Sequence, residues 1–485
     1  MSFKSKLTKE YNQKVKKTEG YQKIKQEIKP VKTNHYLFQT LKISFATVGC
    51  LVGAFALVAG LAFMSAIFHE ETHTTSIKKV RFSIYDTELV KSSTFSALNN
   101  ITYTEEKENN AIDSKFANNL NAFANNSFAK FDKSSNIAYS PLMLYTHLDL
   151  ISLAASDDET KQQFDQVLLT SDASLRETNI YNAMKNNFFV NEKAQSTVQA
   201  KNAVFIERLF GADETFVNNL TKRNAEAYLL NFQNDKDVDN IVEWISQSVN
   251  QKNFISKDEL QIQDDTALLF VSSLFFDNAW SSKFKTQDTR EDTFYLTNDE
   301  EIQTKFMNHT YYGEYVDCGE YVSVTDYYNS SYSIQYFVPK DIKDNIFDVL
   351  PANFLDSEGK KEEVMISLSL PKFQITTQND LSGIVQDLGI TNPYVKYSNH
   401  LKNAFLNKDD LEYSYLYYTK QKTSVAFDED GTVVKSIVMS AAAGAAKAPM
   451  NKGYDVKLNQ PFVYCIKDSN NLPLILGSII NPTKQ

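Results

Sequence analysis

Ile43 to Phe68 is a run of 26 residues without one charged side chain. A helix of about 20 apolar residues crosses a bilayer, because lipid offers backbone polar groups no partner outside the helix. The run therefore divides the chain before any fold is considered. Lys42 precedes it, and His69, Glu70 and Glu71 follow it. The first 42 residues hold 11 Lys against 3 Glu, a charge of +8. The whole chain carries −10, which leaves −18 on residues 43–485. Basic flanks stay in the cytoplasm. The expected plan is a Lys-rich cytoplasmic tail (1–42), one transmembrane helix (43–68), an extracellular tether (69–110) and an extracellular folded domain (111–485). A cleaved signal peptide has a shorter apolar core, closer to the N-terminus, than this run. Val48-Gly49-Cys50 faintly resembles a lipid-attachment site, but the residues after Cys50 stay apolar where a polar tether would be needed. Gly49 and Gly53 have a helix-pairing spacing, although small residues are common in such spans.

Composition narrows the function classes. With 42% hydrophobic and 23% charged residues, the chain is ordinary for a globular protein. A body at −18 repels nucleic acid. At about 150 residues per domain the length suggests roughly three domains. Cys318 and Cys465 are read as free, buried thiols, so this is no disulfide-built scaffold. Asn is frequent throughout, so the Asn-x-Ser/Thr matches carry little weight.

Residues 69–110 are polar and aperiodic, with a short strand expected at Lys79–Ile84. From Ala111 the pattern changes. Ile112, Phe116, Leu120 and Phe123 share a helical face. A second helix is expected after Ser140-Pro141, since proline is tolerated in a first turn, with Leu144, Leu148, Ile151 and Ala155 inward. Ala267–Phe276 is nearly all apolar, as in a strand covered on both faces. Val364–Leu370 alternates, as in a strand with one solvated face. Phe462–Ile466 and Leu474–Ile480 are strands flanking a turn at residues 468–471. Helices come first and strands later, an α+β arrangement.

Enzyme signatures are scarce. His69-Glu70-Glu71-Thr72-His73 spells the zinc-protease HExxH, which would place two His on one helical face around a metal. It sits at the end of the membrane run, is followed by Thr74-Thr75-Ser76, and has no catalytic-domain pattern around it, so a polar cap is the plainer reading. No GxSxG elbow appears, His147 reads as a core-edge residue, and with 14 Gly no phosphate-cradling loop is visible. No cofactor, no metal site and no enzyme activity are expected.

Several blocks, taken in order, resemble the serpin family of protease inhibitors. Asn136-Ile137-Ala138-Tyr139-Ser140-Pro141 is similar to the family's approach to its second helix, followed by the family's Thr at Thr160. Trp244 is placed like the Trp of an Ile-Asn-x-Trp-Val motif, with Val242 in place of the Asn. Ser272 to Trp280 and Phe284 resemble the central strand and breach, with Ser272 for the usual Asn. Leu370-Pro371-Lys372-Phe373, Leu388-Gly389-Ile390, Asn459-Gln460-Pro461-Phe462, Leu474-Ile475-Leu476-Gly477 and Asn481-Pro482 complete the series over residues 111–485. The resemblance implies one domain of three β-sheets and about nine helices with an exposed reactive-centre loop, against the three-domain estimate. It marks Ser140 and Trp280 as shutter and breach residues.

It also implies a mechanism. A protease's Ser or Cys attacks a scissile carbonyl in the loop and forms an acyl-enzyme; the cut loop then enters the main sheet as a strand and drags the protease with it. Asp428-Glu429-Asp430-Gly431-Thr432 resembles the hinge, with Glu429 at its start, Gly431 as pivot and Thr432 first to insert. Val434, Ser436 and Val438 would then point inward and Lys435 outward. Inhibitory members carry several Ala here; the Val residues suit a formed strand but Val434 could slow insertion. Counting from Glu429 places the scissile bond at Ala445–Ala446, while counting back from Pro461 reaches Met450, and Lys447 would suit a trypsin-like enzyme. Ala441–Ala446 would suit enzymes that accept small side chains, or serve as a flexible linker. The partners implied are a serine or cysteine protease and the membrane. The competing reading is a non-inhibitory serpin used as a surface binding or adhesion module.

Overall fold

The computed structural model describes residues 94–297, 300–356, 359–433 and 453–484, which belong to one compact unit from Ser92 to Gln485. Eight α-helices lie among the described residues: α1 Ser114–Ala129, α2 Pro141–Ser152, α3 Asp158–Val167, α4 Ala173–Asn186, α5 Glu214–Thr221, α6 Asp235–Ser248, α7 Ile346–Val349 and α8 Ser382–Leu388. Their starts follow from side chains that accept the first free backbone N–H groups. Asp113 caps α1, Ser140 caps α2 with Pro141 just inside, and Asp157, Asp172, Asp213 and Asn234 cap the next four. The expected inward faces are present: Phe116, Leu120 and Phe123 on α1, and Leu144, Leu148 and Ile151 on α2, are buried.

Among the described residues the main sheet has eight strands. Its order is β1 (Ser96–Ala97), β5 (Ala225–Leu230), β4 (Ser196–Glu207), β6 (Leu268–Ala279), β14 (Gly431–Val433), β13 (Lys420–Phe427) and β12 (Phe373–Asp380), with β3 (Phe188–Asn191) beside β4. The apolar run at 267–276 thus becomes a central strand. Even-numbered β6 residues such as Phe270 and Phe276 face the large core, which α2 also enters. Odd-numbered Leu269 and Val271 face a second, smaller core built with Trp244, Ile241 and Ile245 of α6. One sheet is therefore covered on both faces.

The second sheet has nine strands in the order β15 (Tyr454–Lys457), β11 (Lys360–Pro371), β8 (Glu301–Asp317), β9 (Tyr321–Tyr327), β10 (Ser333–Pro339), β16 (Phe462–Lys467), β17 (Pro473–Ile479) and β2 (Ile137–Tyr139), with β7 (Arg290–Tyr295) beside β8. Three sheets were expected. Among the described residues two are found, because β8 runs 17 residues without a break: one end pairs with β7 and the other with β9, while β11 pairs along its length. Val364, Ile366, Leu368 and Leu370 of β11 are buried, as their alternation predicts.

The expected tether needs correction. Residues 94–110 pack on the domain. Thr94 and Phe95 donate to the buried Asp237 carboxylate, β1 pairs with β5, and Asn99 donates to Thr221 Oγ1 and Ala225 O while accepting from Ala227 N. Further on, Val190 N donates to Glu105 O, and Lys107 donates to Ser330 O at 2.6 Å. This segment has no period because it runs along other elements, so its residues follow no single face of their own. The strand expected at Lys79–Ile84 lies outside the described residues, as does Ile43–Phe68. Among the described residues no helix is long and apolar enough to cross a membrane.

Where α2, α4 and the end of α5 meet, Asp149 of α2 is fully buried between Arg176 Nε of α4, at 2.7 Å, and Arg223 Nε just after α5. Such a group tolerates burial only when its charge is matched. Cys318 and Cys465 are free thiols, and burial pushes Cys465 up to about 12, which leaves it unreactive.

Candidate functional site

The hinge identified in the sequence sits inside the main sheet. β13 turns at Asp428-Glu429-Asp430 and returns as β14, which pairs on one side with β13 (Phe427 with Thr432, Ala426 with Val433) and on the other with β6 (Ala279 with Gly431, Asn278 with Thr432). The turn is closed locally: Asp430 N and Gly431 N donate to Asp428 Oδ1, and Asp428 N donates to Gly431 O.

Gly431 is demanded by contact rather than by unusual torsions. A Cβ there would lie 2.2 Å from Asn278 O, far inside van der Waals contact. Thr432 points inward as expected and is 1% exposed. Its Oγ1 is 2.6 Å from Tyr328 Oη. Opposite it, Asn278 Oδ1 accepts from Ser196 Oγ and Ser330 Oγ.

Trp280 forms the wall above the hinge. It stacks on Tyr328 with ring centroids 4.7 Å apart and meets Phe284 edge-on. Its Nε1 donates to Asp428 O at 2.9 Å and its backbone N to Asp430 O. Two lysines hold the outside of the turn. Lys372 Nζ lies 2.6 Å from Glu429 Oε2, and Thr289 donates to Glu429 Oε1. Burial alone would raise the Glu429 carboxyl, but the hydrogen bonds and charge of Lys372 outweigh it and hold the group below its ordinary value. Lys283 Nζ reaches both Asp430 Oδ1 and Gln195 Oε1 at 3.1 Å. Behind the hinge, burial and then the charge of Asp428 push Asp277 up to about 7.

Below the hinge the two flanking strands do not pair with each other among the described residues. Among the described residues, Leu268–Asp277 of β6 and Lys420–Val425 of β13 pair with no strand on the sides that face each other. Ser140, expected in the shutter, lies under this slot: its N–H donates to Gln421 Oε1 of β13 at 2.9 Å. His147, read as a core-edge residue, is on α2 with Nδ1 3.1 Å from Ser272 Oγ of β6. Burial lowers it to about 4, so the ring is neutral at physiological pH.

Of the residues singled out in the sequence, Glu429, Gly431, Thr432 and Trp280 lie together at the hinge, whereas Ser140 lies further down β13, against Gln421. Val434, Ser436, Ala445, Ala446, Lys447 and Met450 lie outside the described residues, as does the His69–His73 motif. Among the described residues no group of His, Cys, Asp and Glu is arranged to hold a metal. Sequence reasoning missed Tyr328, Lys283 and Gln421, which carry no local signal because their partners are distant in the chain. Lys372 stood in a recognised block but without a role.

The chain matches the family model of the serpins, described as serine protease inhibitors, over residues 118–482; it belongs to that family and is not an enzyme. Among curated relatives, alpha-1-antiproteinase S of Cavia porcellus is 26% identical over 73% of this chain and 86% of its own. Alpha-1-antiproteinase 2 of Equus caballus is 24% identical over 79% and 91%. Serpin-Z10 of Arabidopsis thaliana is 22% identical over 72% and 92%. In structure, the thermophilic serpin tengpin in its native state aligns with a TM-score of 0.63 at 24% identity, covering 79% of this chain and 97% of its own. Its latent state gives 0.61 at 21%, covering 77% and 99%. The fold is shared.

Proposed function

We propose that this chain is a suicide inhibitor of extracellular serine proteases, extending to cysteine proteases, that traps the acyl-enzyme by inserting its cut loop into the main sheet. The observation that supports this most is the hinge itself: Gly431 and Thr432 are already strand residues between β6 and β13, above a stretch of both strands with no partner among the described residues. Continuing the pairing of Thr432 with Asn278 by one residue per step would set Val434 beside Phe276, Ser436 beside Leu274 and Val438 beside Ser272. Each is uncharged, and that side of the sheet is core. The proposed scissile bond is Ala445–Ala446, with Lys447 and Met450 as alternatives.

The Lys-rich tail and Ile43–Phe68 support anchorage by a single N-terminal helix with the tail in the cytoplasm and the inhibitor outside. A second reading, a non-inhibitory binding module, is favoured by one feature. Val433 and Val434 stand where inhibitory members carry small residues, and slow insertion turns an inhibitor into a substrate.

The test is to mix the detergent-solubilised full chain with subtilisin, elastase, trypsin and papain and to run denaturing gels. A band at the summed mass that survives denaturant is expected, and it should vanish in Thr432→Arg, because insertion would bury an unpaired charge. Clean cutting between residues 440 and 450 with no such band would leave the binding-module reading.

A further inference from the structure

The stretch 391–419, which joins α8 to β13, holds six of the chain's 26 tyrosines. Four of their rings form a connected cluster. Tyr397 meets Tyr413 at 5.2 Å between ring centroids and Tyr415 at 5.8 Å. Tyr413 meets Tyr415 at 5.6 Å, and Tyr415 meets Tyr417 at 5.1 Å. Rings this close touch one another, most of them edge to face, so they leave no gap for a ligand. Among the described residues one other pair of tyrosine rings is in contact, Tyr315 with Tyr454, and it is stacked face to face.

The backbone fixes the cluster. Ser414 N donates to Ser398 O and Leu416 N to Pro393 O, each at 2.6 Å, and Asn399 Nδ2 donates to Glu412 O at 2.9 Å. These bonds tie the limb that carries Tyr397 to the limb that carries Tyr413 and Tyr415. Tyr397 has a φ of +61°, which a bulky side chain rarely adopts and which costs energy. It is also 69% exposed, and Tyr417 at the other end of the cluster is 40% exposed. A strained backbone thus presents an aromatic ring to water, an arrangement that burial does not reward.

Asp265 serves the two hydroxyls of the cluster that lie further in. Its Oδ2 accepts from Tyr413 Oη at 2.7 Å, and its Oδ1 accepts from Tyr417 Oη. Burial, and then this hydrogen bond, hold both phenols above their ordinary range, so both are protonated at neutral pH. Such a phenol gives up an electron readily only if its proton leaves with it. A carboxylate already hydrogen-bonded to the hydroxyl takes that proton without rearrangement.

We propose that this cluster is an oxidative cross-linking site, at which a haem peroxidase with hydrogen peroxide joins Tyr397 to Tyr413 as dityrosine and Asp265 accepts the phenolic proton of Tyr413. The site does not depend on strand insertion. Each phenol gives up one electron and one proton, and together these reduce one peroxide to two waters. The two phenoxyl radicals couple through ring carbons ortho to oxygen. The hydrogen on each of those carbons then moves to its oxygen, which restores both phenols. The oxidant reaches Tyr397 and Tyr417, the exposed ends, and Tyr415 touches all three other rings and relays the radical between them. The new bond closes the loop from 397 to 413 and constrains the unfolded chain, as a disulfide does.

The test treats the full chain in detergent with a haem peroxidase and limiting hydrogen peroxide, then digests the monomer band with trypsin. Dityrosine fluorescence is expected in the monomer, with the peptide from Tyr397 to Lys402 linked to the peptide from Asp409 to Lys420. Tyr397→Phe keeps the ring without the phenol and should abolish that linked pair. Asp265→Asn keeps an acceptor for the hydroxyls but not the base, and should slow the linkage about ten-fold. Asp265→Glu, which restores the base, should recover most of the rate. Linked peptides spread over other exposed tyrosines, such as Tyr312 at 52%, or links only between copies of the chain, would overturn the proposal. So would an unchanged rate in Asp265→Asn, or no recovery in Asp265→Glu when its thermal unfolding matches that of the natural chain.

Discussion

Asp277 neighbours the hinge partner Asn278, and burial with the charge of Asp428 pushes its carboxyl from 3.8 to about 7. The folded chain therefore keeps a proton that the unfolded chain releases. The resulting stability is complete below about pH 4 and is lost as pH rises through about 7. Asp277→Asn should raise the urea midpoint at pH 8 and flatten the rise in stability on acidification between pH 7 and 4. Glu207, raised to about 7 by burial, leaves part of that rise in place. A lower midpoint at pH 8 with an unchanged pH slope would show that the Asp277 carboxylate has a favourable partner after all. At this scale the sequence was informative where backbone or burial constrains residue type. Gly431 and Thr432 could be named in advance. Gly431, expected as a pivot, turned out to be required by its distance to Asn278 O. Tyr328 could not be named, since its partner Thr432 lies 104 residues away.

Among elements, the segment 94–110 departs furthest from its sequence reading. It adds β1 to the edge of the main sheet, which otherwise ends at β5, and edges left bare invite unwanted pairing. It also uses the buried Asp237 carboxylate, to which Thr94 donates twice. A chain starting at Ala111 should be less stable than one starting at Ser92 by about 2–5 kcal/mol, from the lost hydrogen bonds and the buried carboxylate left short of donors. Urea unfolding of the two purified chains measures this. Equal midpoints would mean that the segment only rests on the surface. Long periodic elements were legible: α1, α2, β6, β11, β16 and β17 lie within a few residues of their expected places. The segment 94–110 was not, because backbone hydrogen bonds to β5 and β3 leave no periodic trace.

For the whole molecule, Thr432 is paired between β6 and β13 where an inserting strand would begin. Cutting the loop should let the strand complete the sheet and add its backbone hydrogen bonds. Stability should therefore rise on cleavage, opposite to the usual effect of a chain break. Limited subtilisin digestion followed by thermal unfolding checks this, and an unchanged or lower midpoint would count against insertion. By itself the sequence determined the uncharged run at 43–68, the charge asymmetry around it, the main helices and strands, and the order of blocks that marks the family matched over residues 118–482. These properties are local, or depend on order along the chain. Only the tertiary structure decided that one long β8 joins two expected sheets. The same holds for the packing of residues 94–110 onto the domain, and for the enclosure of the hinge by Trp280, Tyr328, Lys283 and Lys372. Each depends on contacts between residues far apart in sequence, whose pairing is set by how the layers pack.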